Sequence, residues 1–317
     1  MKRSRLVNLA AIVSVLLSAQ LADTEASVEQ QPLATFKSGI DLVQVSAVVR
    51  DRKGRFVRNL AARDFEIMDG GQTRAIKDFR EDLPGVTVAL LFDVSGSMEA
   101  QLSTAREAGA HVLGWMQDPR DEAGIFSFDT RLDEVMPFAT GVKQLPQRLL
   151  SKTPFGATSL HDAIAQTAEQ LGPHEGRRRA VVVFTDGNDT SSRLSPSEVS
   201  GIASAIDVPV YILGVVPAID NPTAERTTTT QERSPLGGTL SSLAHWTGGR
   251  LFVASTPAER SSAARQIIDE LRHQYLIAFE SSGKPGWHPL EVRARSKDLI
   301  VRARSGYIAG QSRPVSQ

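Results

Sequence analysis

Two apolar runs constrain this chain more than any other feature. Val86-Thr-Val-Ala-Leu-Leu-Phe92 and Ala180-Val-Val-Val-Phe-Thr185 are broken only by threonine. Such runs cannot keep one face in water. They suit strands covered on both faces, as in a parallel sheet between two helical layers. Helical spacing appears around them. Over Glu99–Trp115, Leu102, Ala105, Ala108 or Gly109, Val112 and Trp115 or Met116 share one side. Leu160–Leu171, Ser195–Ile206, Leu236–Trp246 and Pro257–Arg272 are further predicted helices. Ser195 is placed to cap its helix, with Pro196 in the first turn. Glu122–Phe128, Val208–Val215 and Arg250–Val253 are predicted strands, and Arg131–Phe138 an edge strand. This alternation predicts an α/β fold with a doubly wound, mostly parallel sheet. Asp220–Pro235, which contains Thr227–Thr230, is too polar to pack and is expected to be a mobile surface loop.

The regions on either side have β character. Asp41–Arg50 is rich in β-branched residues, Asp64–Met68 and Ala75–Phe79 follow, and Asp69-Gly70-Gly71 is a hairpin signal. This predicts a meander of short strands with one polar face. Tyr275–Phe279, Leu290–Ala294 and Leu299–Ala303 alternate beyond the last helix. Each flank is small, so the economical arrangement pairs both into one β-sandwich-like unit with the α/β domain inserted. Sequence does not fix strand pairing, so that arrangement stays open. The expected divisions are a signal peptide at 1–22, a linker at 23–35, β flanks at 36–83 and 274–309, the α/β domain at 84–273 and a tail at 310–317.

The start of the chain has an export pattern. Lys2, Arg3 and Arg5 precede a mostly apolar Leu6–Leu17, and Ser18, Ala19 and Ala22 follow. The apolar stretch is short of the ~20 residues a spanning helix needs. An uncleaved N-terminal anchor is the alternative. Both readings place the chain in the periplasm or outside the cell. The 36 basic and 36 acidic residues cancel, so no overall field favours nucleic acid. Arg177-Arg178-Arg179 is expected to be a solvated turn before a buried strand. The absence of cysteine excludes disulfides, thiolate metal sites and cysteine nucleophiles.

The chemistry concentrates where the first apolar strand ends. Asp93-Val-Ser95-Gly-Ser97 links that strand to a helix. Open α/β sheets bind ligands at the carboxyl ends of their strands, where helix N–H groups also point. One carboxylate and two hydroxyls are hard oxygen donors, suited to Mg²⁺, Mn²⁺ or Ca²⁺. Taken alone, the loop is explained equally well by Ser97 capping the helix and Ser95 bonding the turn. Two other segments add to it. Phe155-Gly-Ala-Thr158 offers a hydroxyl before a helix, and Thr185-Asp186-Gly-Asn-Asp189 offers a carboxylate after the second apolar strand.

Together these residues resemble the metal-ion-dependent adhesion site of von Willebrand factor A-type domains, a D-x-S-x-S loop with a distant Thr and a distant Asp. The resemblance covers about Val86 to Arg272, and Leu243–Gly249 with Leu251-Phe252 resembles that family's late helix and last strand. The flanks resemble those of bacterial secreted proteins carrying such a domain. The resemblance implies a Rossmann-like fold and a bound Mg²⁺, with Mn²⁺ or Ca²⁺ as alternatives. It implies direct binding by Ser95 and Ser97, direct or water-mediated binding by Thr158, and mainly water-mediated roles for Asp93 and Asp186. A partner protein's Asp, Glu or C-terminal carboxylate would take an exchangeable position on the ion.

Asp162 and Asp189 are candidate supports of the ligand loops; a helix-dipole acid and a solvated loop residue are their plain readings. Asp129 ends a strand near the same face, and His161 is expected at the surface. Trp115, Trp246 and Trp287 are expected to serve packing. The leading expectation is a non-catalytic interaction module of the cell envelope. A scaffold with a stabilising metal is the second reading. A metal-dependent hydrolase is the third, disfavoured by the lack of a histidine base near the hydroxyl loops or a G-x-S-x-G elbow.

Overall fold

Strands from both ends of the sequence build one of the two parts of this molecule. The computed structural model describes residues 42–174, 177–205, 207–215 and 239–309. The expected signal peptide, linker, Asp220–Pro235 loop and tail lie outside them. Four strands precede the α/β core: β1 (Leu42–Asp51), β2 (Phe65–Asp69), β3 (Gln72–Arg74) and β4 (Ile76–Arg80). Four follow it: β11 (Gln274–Glu280), β12 (Gly286–Ala294), β13 (Leu299–Arg302) and β14 (Gly306–Ala309). They form two four-stranded sheets, ordered β13-β1-β11-β4 and β14-β12-β2-β3. Val45 pairs with Ile277, and Ile67 with Val292, both antiparallel. Val45, Val49, Phe65, Ile67, Ile277, Phe279, Val292 and Tyr307 lie in one shared core. The two flanks therefore complete each other.

The expected meander does not form. β2 and β3 make a hairpin, and Gly70 and Gly71 both carry the positive φ (56° and 82°) that a two-residue turn needs. β1 and β4 lie in the other sheet, on either side of β11. The apolar sides of β1 and β2 thus contribute to one interior from opposite sheets. Side by side, they would leave it half covered.

The α/β core has a six-stranded sheet. Its strands are β5 (Val86–Asp93), β6 (Glu122–Phe128), β7 (Leu132–Thr140), β8 (Arg178–Thr185), β9 (Val210–Val215) and β10 (Arg250–Ala254). The order is β10-β9-β8-β5-β6-β7, parallel except for the antiparallel edge strand β7. Every residue of β5 and β8 is buried, as the unbroken apolar runs predict. The helices are α1 (Leu102–Trp115), α2 (Gln147–Leu150), α3 (Leu160–Gln170), α4 (Pro196–Ala205), α5 (Thr239–Trp246) and α6 (Pro257–Arg272). α1 and α6 supply Val112, Leu113, Ile267 and Leu271 to the core on one face of the sheet. α3, α4 and α5 supply Ile164, Val199 and Leu243 to the core on the other. Ile40–Gln317 forms one compact unit.

Two local expectations are corrected. The helix expected from Glu99 is split into a 3-10 turn, Gly96–Ala100, and α1. Met98, fully buried, anchors the turn, and its amide donates to the Ser95 carbonyl. The arginine run is also not a solvated turn. Arg178 and Arg179 belong to β8 and are only 7% and 4% exposed. Arg178 donates to the carbonyls of Glu81, Leu83 and Gln274, at the two places where the chain passes between the sandwich and the α/β core. Arg179 donates to the carbonyls of Leu171 and Gly172. The buried guanidinium groups find acceptors in these carbonyls, which lets the two arginines sit inside the fold.

Candidate metal centre

β5 delivers Asp93 fully buried at its carboxyl end. The Ser95 amide donates to Asp93 Oδ1 at 2.9 Å, and the Thr185 hydroxyl donates to Oδ2 at 2.7 Å. The Gly187 amide donates in turn to Thr185 Oγ1 at 3.0 Å. The end of β8 and the end of β5 are therefore tied through one threonine. Burial pushes the Asp93 carboxyl up to about 6; the Ser95 and Thr185 hydrogen bonds oppose this, and the negative charge of Asp186 adds to it.

Ser95 is buried and Ser97 exposed, with their hydroxyl oxygens 3.1 Å apart. Ser95 occupies the N-cap of the 3-10 turn with extended backbone, yet no side-chain capping hydrogen bond forms. Gln101 precedes α1, again without one. The capping explanation of this loop therefore fails: its hydroxyls bond each other and not the helix amides.

The Thr158 loop is stitched to both neighbours. The Phe155 amide donates to the Val94 carbonyl at 2.9 Å, and the Gly96 amide to the Gly156 carbonyl at 3.0 Å. Gly156 has φ +83°, a conformation that suits glycine. On the other side, the Thr190 and Ser191 amides donate to the Thr158 carbonyl, and the Thr158 amide donates to Thr190 Oγ1. Thr158 is 2% exposed, and its own hydroxyl makes no hydrogen bond among the described residues. Asp186 is half-buried just past β8 and accepts from the Asn188 amide at 3.3 Å. Three loops at the carboxyl end of the sheet thus form one bonded assembly.

Asp162 and Asp189 hold the loop that follows Asp186. Asp162 accepts from the amides of Arg193 and Leu194, and its own amide donates to the Ser192 hydroxyl oxygen. Asp189 accepts from the His161 and Ser192 amides. Burial works upward on the Asp189 carboxyl, but the Ser192 and His161 donors outweigh it and hold it below its usual range. Asp189 is thus more than a solvated loop residue. His161 is paired with it at 2.9 Å and is not free at the surface. Asp129 accepts from the Arg131 amide at 3.0 Å, and its carbonyl takes the Ser159 amide.

Two residues escape the sequence reading. Thr185 holds the Asp93 carboxylate; the only signal for it is a threonine directly before Asp186. Phe155 is 78% exposed beside the Thr158 loop, where an apolar residue is ordinarily expected to be covered. Of the tryptophans, Trp115 packs on the core, while Trp246 and Trp287 are partly exposed.

Comparison with known proteins locates this assembly. Residues 88–188 match the von Willebrand factor type A domain. The matched segment contains Asp93, Ser95, Ser97, Thr158 and Asp186. Solved structures with a similar chain path include an aerotolerance-related membrane protein from Bacteroides fragilis. It is 23% identical, with a TM-score of 0.46, over 58% of this chain and 99% of that one. A von Willebrand factor type A protein from Catenulispora acidiphila is 13% identical, with a TM-score of 0.46, over 87% of this chain and 76% of that one. The vWF domain of the type V pili tip protein Mfa5 from Porphyromonas gingivalis is 12% identical, with a TM-score of 0.43, over 59% and 95%. No curated protein matches in sequence.

The residues fit a hard divalent cation. Asp93 and Asp186 interact electrostatically, and among the described residues no Lys or Arg pairs with either. A buried carboxylate without a cationic partner is costly. Two carboxylates offset a divalent charge, and the Ser and Thr hydroxyls add oxygen donors without adding charge. Among the described residues, no group of three His, Asp or Glu offers a different metal site. No described helix is long and apolar enough to cross a membrane.

Proposed function

We propose that this chain is a non-catalytic interaction module of the bacterial cell envelope. Ser95, Ser97, Thr158, Asp93 and Asp186 hold Mg²⁺, and the site docks an acidic group of a partner protein. The observation that carries this reading is the pair of serine hydroxyls left free of capping, next to a buried carboxylate that has no cationic neighbour among the described residues. A bound ion supplies a positive charge in a partly dry setting, where attraction to a carboxylate exceeds its value in bulk water. The protein's part is to orient the donors. Thr185 and the Ser95 amide fix Asp93, and the Thr190 and Ser191 amides fix the Thr158 loop. The basic and apolar N-terminal segment supports export.

The test is a thermal unfolding series with Mg²⁺ and Mn²⁺. At 100 times Kd, an ion bound only by the folded state adds about 2.7 kcal/mol. Asp186→Ala should remove that gain. No response from wild type at millimolar ion would end the metal reading. A pull-down from envelope extract, with EDTA as control, should then lose its partner on Ser97→Ala. A metal response with no partner lost would favour the scaffold reading.

Phe155 refines the picture. An exposed aromatic next to the Thr158 loop is suited to pack on the partner around the docked acid. Phe155→Ala should weaken partner binding about tenfold, ~1.4 kcal/mol. It should leave the Mg²⁺ response unchanged, because the Phe155 side chain is not among the donors. Equal binding by both proteins would remove Phe155 from the interface.

A further inference from the structure

A second polar site lies at the other end of the sheet. Arg250 opens β10, whereas Asp93 closes β5, so the two sit at opposite strand ends. Beside Arg250 is a cavity of about 320 Å³ between α5, α6, β1 and β13. Its polar lining comprises Arg50, Arg250, Arg302, Glu270, Ser241 and His245. Water takes ~30 Å³ per molecule, so there is room for a phosphoryl group with water around it.

The charges here do not balance. Glu270 is 1% exposed and is the only acid in the lining. Each of its oxygens is already engaged: Oε1 accepts from Arg50 at 3.0 Å, and Oε2 accepts from Arg302. Arg50 is committed further, donating to the Gly54 carbonyl and stacking on the Phe56 ring at 3.9 Å. Arg250 is the least engaged of the three. It makes a long ion pair with Glu270 at 3.9 Å and lies 5.1 Å from the centre of the Phe252 ring, and it donates no hydrogen bond among the described residues. Burial lowers its pKa, and the Glu270 charge only partly offsets that. Three guanidiniums and one carboxylate leave two positive charges in excess, in a chain whose total charge is zero.

We propose that this cavity binds a compact phosphate dianion, with Arg250 as the principal donor. A guanidinium presents paired N–H groups that match two phosphate oxygens. Arg302 and Arg50 contribute charge from behind, and Ser241 and His245 supply donors from the α5 wall. Two negative charges restore neutrality. The same chemistry could reach the site as free inorganic phosphate or as a phosphate monoester on a larger molecule.

The experiment is isothermal titration of the full chain with inorganic phosphate, in EDTA-containing buffer at constant ionic strength. EDTA keeps the result independent of the divalent-metal reading. One saturable equivalent should bind, and Arg250→Gln should weaken it at least tenfold. Arg250 is 39% exposed, so its replacement should leave the fold intact, and the thermal midpoint checks this. His245→Ala, also at an exposed residue, is the second variant and should weaken binding severalfold. A glycerol phosphate arm distinguishes the sources: tighter binding than inorganic phosphate assigns an esterified ligand, and weaker binding assigns the free ion. Absence of saturable binding, or equal affinity in wild type and Arg250→Gln, overturns the proposal.

Discussion

Glu270→Ala should cost this protein about 3–5 kcal/mol of unfolding free energy, the usual penalty for removing one partner of a buried ion pair. Glu270 sits on α6 and is almost fully enclosed. It receives Arg50 from β1 and Arg302 from β13, so one carboxylate joins the α/β core to both strands of the sandwich next to it. Without it, three guanidiniums face one another with no counterion. Repulsion then adds to the lost hydrogen bonds. Glu270→Gln keeps the shape and one acceptor oxygen but loses the charge, so its loss should be smaller and still clear. Urea denaturation in phosphate-free buffer measures both. A loss under about 1 kcal/mol for Glu270→Ala would show that solvent screens the cluster as it does an exposed pair.

Phe92→Ala should be comparably severe, about 3–5 kcal/mol. The Phe92 ring is fully buried and stacks on Phe184 at 4.6 Å with 15° between planes. Its other contact is with α1, where Gly109 leaves the space the ring fills; a Cβ there would stand 2.3 Å from the ring. Truncation opens a cavity between β5, β8 and α1, and glycine has no side chain to fill it. Phe92 also directly precedes Asp93. If the ring fixes the height of that carboxylate, the Mg²⁺ response should shrink along with stability. Denaturant unfolding and metal titration on the same sample separate the two effects. Reduced stability with an unchanged metal response would show that the Asp93 loop is positioned by its own hydrogen bonds.

The α/β core was readable because burial on both faces leaves an unmistakable mark on composition. β5 and β8 could hardly be anything else. The candidate site residues were legible because D-x-S-x-S and Asp186 stand where the two apolar strands end and Thr158 stands just before a helix. What sequence left open was always a matter of pairing. Nothing local says that β1 lies beside β11 and not β2, since both arrangements satisfy alternation. Nothing in Arg178 or Arg179 says that their targets are buried backbone carbonyls, those of Arg178 in distant segments, so the basic run by itself points to a wet turn. The break between the 3-10 turn and α1 was invisible for a related reason. Residues Glu99 to Trp115 have good helical spacing, but Gly96 and Met98 are held by the neighbouring loop and the core beneath. Phe155 is the opposite case, an apolar residue whose exposure only the folded chain reveals.

The interleaved sandwich has a consequence for the order in which this protein can be made. Val45 takes Ile277 as its neighbour, and Ile67 takes Val292. During synthesis, β1 to β4 emerge first and then wait for the entire α/β core before those partners leave the ribosome. At ~5–20 residues per second, a delay of that length lasts roughly 10–50 s. Over that time β1 and β2 present open edges and an uncovered apolar face, the features that invite mispairing with other chains. The α/β core faces no such wait, because its sheet is built from its own consecutive segments. Termination just past α6 would therefore release a chain whose core can close while β1, β2 and β4 lack their partners β11 and β12.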